Sequence, residues 1–343
     1  MDTSTTPFKS SDGGNQSDIH DIQMRYKLSP ATMKVISSIP LTPDRQHILH
    51  KACLASEFRS FSMKASERDF FREVNDHTAI PYTIKETVTQ PWHKVFLLVQ
   101  VDLLQTGWPN KISASARAEL YKERTQISVL LDRVLRCIVD VIGLRRDGRG
   151  VNVALDVLRS VNSGSWEGGG KELLLIDHIG PAKMDKLFKA GIKSIHQLRK
   201  LEFYHIERIL SRNPPFGHQV LNQLAGFPRL LCQFEVIHKQ SSLETPLHNQ
   251  NAAPDVSFWV CRVVLGYEND QLPLWKKINP WVTLVIEGAD GRLLWFWRGS
   301  VKKLTEQQCL VLGLATKSEE KVGIQFACEE LVGTMVHITH QMP

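Results

Sequence analysis

The hydrophobic period of this chain changes once. Up to about residue 227 the apolar residues recur every three or four positions, as on one face of a helix; from about residue 256 they alternate, as on a half-buried strand. Between the two lies "HKQSSLETPLHNQNAAPD", a polar stretch that reads as a linker. A chain patterned this way folds as a helical part followed by a β part. Its 343 residues, 42% hydrophobic, suffice for a core in each.

Within the helical part, "PLTPDRQHILHKACLASEF" predicts a helix with Thr42 as N-cap and Pro43 at its first position. "KASERDFFREV" carries the start signal Ser66-x-x-Asp69. "TQPWHKVFLLVQVDLLQ" opens at Pro91 and is apolar nearly all round, so it predicts a central buried helix. The longest helix is expected in "SARAELYKERTQISVLLDRVLRCIVDVIG", with Ile127, Leu131, Val134, Ile138 and Val141 on one face and Lys122, Arg133 and Arg136 on the opposite one. A further helix, "VNVALDVLRSVNS", follows the basic turn "RRDGRG". "NSGSWEGGG" is a loop, and short helices run on to about Phe227. The runs "SFWVCRVVLGY", "WVTLVIEG", "GRLLWFWRG", "KVGIQFACEE" and "MVHITHQ" predict a small antiparallel sandwich. The expected division is a disordered tail over 1–28, a helical bundle over 29–172, a hairpin region over 173–235, a linker over 236–255 and an immunoglobulin- or fibronectin-like β-sandwich over 256–343. Trp92, Trp275, Trp281, Trp295 and Trp297 read as core, and "NPPF" as a rigid turn.

Charge is unevenly placed. Residues 111–200 hold 17 Lys and Arg against 10 Asp and Glu, a net +7, whereas the remainder holds 25 against 26. The middle of the chain therefore points to a polyanionic partner, with a solvated helix surface as the plain alternative. The six cysteines form no C-x-x-C pair and read as reduced core thiols of an intracellular protein, Trp259 with Cys261 and Cys328 being only a chance echo of an immunoglobulin disulfide. His47/His50 and His337/His340 lack the Cys partners expected of a zinc site. No run of about 18 apolar residues predicts a membrane span, and the polar N-terminus is not a secretory signal.

"SWEGGGKE" imitates a phosphate loop, but Ser165 stands where the first glycine is required and Glu172 where Mg²⁺ needs a hydroxyl. No nucleotide-hydrolysing motif is visible, so no cofactor is expected in this chain. "IDHIGPAKMDKLFKAGI" has instead the form of a helix-hairpin-helix, with a turn at Ile179-Gly180-Pro181 and a second helix from Pro181. Glycine allows backbone amides to approach an anion, and the helix start offers free N–H groups and a positive dipole end. Lys183 and Lys186 lie one turn further on, in reach of neighbouring phosphates. His178 stands where such hairpins often carry a second glycine. The plain reading is a hairpin that only packs.

The order bundle, hairpin, sandwich resembles the Sec63 homology module that follows the motor core in a class of superfamily-two helicases. "SIPLTPDRQHILHKACLASEF", "HKVFLLVQVDLLQ", "GRGVNVALDVLRSVNSGSWE", "LIDHIGPAKMDKLFKAGIKSIHQL" and "IERILSRNPPFG" are similar to the meiotic, crossover-promoting ATP-dependent DNA helicases. The resemblance implies a nuclear DNA-binding accessory module of a 3′-to-5′ helicase active in homologous recombination. Its ATP and Mg²⁺ would belong to motor domains that this chain lacks, as a fragment would. The helix from about Glu119 to Ile142 matches the ratchet helix of related helicases by position, so the resemblance makes Lys122, Arg133 and Arg136 candidates for contact with a passing single strand, although no aromatic residue for base stacking is evident on that face. It also implies protein partners on the sandwich. The rival reading is a protein-docking scaffold, as in spliceosomal RNA helicases; the translocation-channel component itself is disfavoured by the lack of a span.

Overall fold

A computed structural model describes residues 15–239 and 256–343; residues 1–14 and 240–255, which hold most of the expected linker, lie outside the described residues. Helices α1 (Asn15–Tyr26), α2 (Pro30–Ser37), α3 (Arg45–Cys53), α4 (Arg68–His77), α5 (Pro91–Leu104), α6 (Ala114–Leu144) and α7 (Gly148–Ser163) make the bundle. Short helices α8 (Pro181–Lys189), α9 (Ile195–Arg199), α10 (Phe203–Leu210) and α11 (Phe216–Ala225) make the hairpin region. Strands β1 (Leu230–Lys239), β2 (Val256–Tyr267), β3 (Trp281–Glu287), β4 (Leu293–Ser300), β5 (Gln308–Lys317), β6 (Lys321–Cys328) and β7 (Val336–Gln341) form two antiparallel sheets, ordered β1-β2-β5 and β4-β3-β6-β7. The helical bundle followed by a β-sandwich is thus the architecture.

Helix α5 is buried nearly all round, as its composition requires, and α6 buries Ile127, Leu131, Val134, Ile138 and Val141 against it and its neighbours. Other expectations need correction. The tail is not without structure, because α1 packs on α6 through Ile22, with Tyr26 donating to Asp140 Oδ2 at 2.7 Å. Helix α3 is capped by Asp44, not Thr42; the Asp44 side chain accepts from the His47 N–H at 2.7 Å. Ser66 caps nothing, since Glu67 closes that turn by accepting from the Lys64 N–H at 3.1 Å. The sandwich begins at Leu230, inside the segment expected to be hairpin and linker, and it gains β5 outside the expected strand runs. Trp275 is buried, whereas Trp281 is 38% exposed.

The parts are joined rather than strung out. One apolar core runs from Leu173, Ile179 and Leu187 of the hairpin region into Trp259, Leu284 and Phe326 of the sandwich. The sandwich also docks on α6 and α7. Gly148 lies so close that an added Cβ would sit 3.0 Å from Glu287 and Leu293, and Leu293 donates its N–H to Arg146 O at 2.7 Å. Arg159 Nη1 donates to Cys328 O at 3.1 Å. All six cysteines are unpaired thiols, and only Cys309 is exposed. Among the described residues no helix is long and apolar enough to cross a membrane, and no cluster of metal-ligating side chains occurs. His47 bonds Asp44 at 2.8 Å and His50 packs edge-on against Trp92, while His337 and His340 fall on opposite faces of β7.

Candidate nucleic-acid interface

The glycine-rich loop holds no anion site. Lys171 Nζ donates to Leu104 O at 2.9 Å, closing the C-terminus of α5, and Glu172 Oε1 accepts the Ile195 N–H at 2.7 Å at the start of α9. Both groups that imitate a phosphate loop are therefore structural.

The hairpin end differs. A short 3₁₀ turn, Glu172–Leu175, replaces the expected first helix. His178 adopts φ 64°, the left-handed region that glycine enters at least cost. Gly180 is extended at φ −96° and precedes Pro181 at the first position of α8. No atom lies within 4 Å of where a Gly180 Cβ would stand, so its backbone faces open space. The N–H groups of Gly180 and Ala182 have no acceptor among the described residues. Both stand at the positive end of α8, which is the arrangement an anion needs. Ile179 is corrected here: its side chain is in the core and its N–H donates to Ile176 O at 3.2 Å, so it shapes the turn and offers nothing outward.

Three cations gather beside these amides. Lys183 Nζ lies 4.6 Å from the Phe216 ring centroid and Arg212 Cζ 5.8 Å from it. Lys186 Nζ reaches Leu210 O at 3.5 Å and Ser211 Oγ at 3.4 Å, at the carbonyl end of α10. None of the three forms an ion pair among the described residues. Loss of water and the nearby Arg212 and Lys186 charges hold the Lys183 ammonium below its usual range. An anion at this end would relieve that repulsion. Gly217, next to Phe216, packs tightly on α10, where an added Cβ would collide with Phe203 O. Arg212 stood in plain sight in "RNPPFG" but has no helical spacing to Lys183, so only folding brings it there.

The three residues of α6 separate. Among the described residues Lys122 is exposed and forms no ion pair, and Arg133 is half-buried with an Nε that finds no partner. Arg136 is not on an open face. It bonds Asp132 at 3.1 Å, Glu330 at 2.9 Å and Glu329, which fixes α6 to the sandwich. Tyr121, which precedes Lys122, is 45% exposed but stacks on Trp108 at 4.2 Å and lies more than a quarter turn round the helix from the Lys122 face. Other cations of the middle segment are likewise engaged within the fold: Arg124 pairs with Asp102, Arg145 donates to Ser37 O and Ile39 O, and Arg159 pairs with Glu167.

Fold and site together define a module of helical bundle, short helices and β-sandwich. The chain matches the Sec63 Brl domain over residues 17–341, and it belongs to that family. Its relatives are helicases by name. ATP-dependent DNA helicase MER3 of Saccharomyces cerevisiae is 23% identical over 100% of this chain and 28% of its own length. Probable ATP-dependent DNA helicase HFM1 is 20% identical in Mus musculus, over 91% of this chain and 21% of the relative, and 20% identical in Xenopus tropicalis, over 74% and 20%. The chain spans about a quarter of the length of these curated relatives. A solved structural-genomics chain aligns to 35% of this one at 12% identity with a TM-score of 0.16, too low to bear on the fold.

Proposed function

We propose that this chain is the accessory module of an ATP-dependent DNA helicase of meiotic homologous recombination, working in the nucleus to guide DNA and dock protein partners for crossover formation. It carries out no hydrolysis itself. The observation that carries this reading is the hairpin end: two amides without acceptors at a helix start, flanked by Lys183, Lys186 and Arg212, which form no ion pair among the described residues. Such groups hold a phosphate backbone and read no sequence. Lys122 and Tyr121 on α6 form a second candidate contact for a single strand. The relatives' names and the resemblance described above support the helicase context.

Fluorescence anisotropy of labelled forked DNA tests the reading, with wild type beside a Gly180→Asp/Lys183→Glu double variant whose folding is checked by circular dichroism. Wild-type binding should weaken steeply with salt, because neutralised phosphates release counterions, and the variant should lose affinity. Equal, weak binding by both proteins leaves the hairpin as packing and points to the protein-docking scaffold instead.

A further inference from the structure

Helix α10 continues away from the hairpin end with its own row of open groups. Tyr204 is 52% exposed. Its ring meets Phe203 edge-on at 5.5 Å and His205 at 4.3 Å, so neighbouring rings hold it while half its surface stays open. Phe203 in turn stacks on His218 of α11 at 3.9 Å and 21°, which ties this row to the helix that also presents Phe216. Arg208 follows Tyr204 by four residues, hence on the same face, and is exposed without an ion pair among the described residues. Arg212 lies just past the helix end, over Phe216 and near Lys183. The carboxylates of this stretch do not neutralise the row: Glu207 is buried and accepts the Gly217 N–H at 2.9 Å, and Glu202 and Asp185 are exposed at its margins.

A ring kept half open at the head of a row of cations suits a base with its adjoining phosphates. Bases inside a duplex are already stacked on each other, so only an unpaired base can take this place. We infer that α10 is a single-strand track, in which a base stacks on Tyr204 and the adjoining phosphates lie on Arg208 and Arg212. The inference rests on the hairpin reading above and narrows its ligand to a strand with an unpaired segment.

The test uses the full chain and a single-stranded oligonucleotide carrying 2-aminopurine, whose fluorescence falls when it stacks on a ring, beside a blunt duplex of the same length. Tyr204→Ala should bind the single strand roughly tenfold or more weakly, within the range of one lost base stack. It should also lose the quenching and bind the duplex as wild type does. Tyr204→Phe should restore both single-strand readouts. Unchanged single-strand affinity and quenching in a folded Tyr204→Ala overturns the track. If the Gly180→Asp/Lys183→Glu variant still loses DNA in that case, the hairpin reading survives; if it does not, both fall together.

Discussion

Arg298 of β4 and Asp140 of α6 meet at the join between sandwich and bundle, Nη1 to Oδ1 at 2.9 Å, with side chains only 16% and 4% exposed. The same guanidinium bonds Glu329 and the Tyr26 hydroxyl, and Glu329 also bonds Arg136. Tyr26, Asp140, Arg136, Arg298 and Glu329 thus make one dehydrated network that fastens α1, α6 and the two-sheet domain together. Burial, then the Asp140 carboxylate, pushes the Tyr26 phenol well above its usual range, so it remains a hydrogen-bond donor throughout the working pH range.

Removing one member of such a network leaves charges buried without a partner. Arg298→Ala should lower the unfolding free energy by about 3 kcal/mol. Arg298→Lys should not restore it, because a single ammonium cannot present a fork to two carboxylates at once. Urea unfolding followed by circular dichroism measures both variants. Stability unchanged in Arg298→Ala would mean the join is held by its apolar contacts alone.

Lys122 and Arg136 lie on the same helix but should fail differently. Arg136→Ala should destabilise the fold and, where it remains folded, bind DNA as wild type does. Lys122→Glu should leave stability within about 0.5 kcal/mol of wild type, as surface changes do. It should also weaken single-strand binding and lower the salt slope by about one. Anisotropy at several salt concentrations beside thermal melts separates the two. A loss of DNA binding specific to Arg136→Ala would contradict its assignment to the join.

The cap of α3 has a pH signature. Asp44 sits below the ordinary carboxylate range, chiefly because the His47 N–H donates to it. Folding therefore favours the ionised form. Its contribution is complete above the unfolded value of about 3.9 and is lost as pH falls through the lower folded value. Asp44→Ala should cost about 1 kcal/mol at pH 7, with the gap to wild type narrowing once the pH falls below the unfolded value of about 3.9. Asp44→Asn should keep the cap without that pH dependence. Urea titrations between pH 3 and 7 follow the difference.

Much of this was legible because it depends on near neighbours. Pro91 does start α5, and the alternating runs after residue 255 are strands. The Gly180-Pro181 turn opens α8. Elements with a weak local pattern are fixed by distant partners instead. Strand β1 lies beside a polar stretch and is paired by β2, more than 20 residues on, through contacts such as Glu235 with Arg262. Helix α1 is short and polar, and it is held by Asp140, more than 100 residues away.

By itself, the amino-acid sequence determined the change from helices to sheet, the buried central helix and the hairpin turn, because propensity, periodicity and proline or glycine geometry act within one or two turns of chain. Which cations remain open is set by long-range contacts. Lys122, Arg133 and Arg136 look alike on a helical projection, yet Arg136 is taken by Glu329 and Glu330, 193 and 194 residues away. Conversely, Arg212 joins Lys183 around Phe216 although no local period links them. A charge becomes structural or available according to which carboxylates the fold brings within a few ångströms, and that is set by long-range packing.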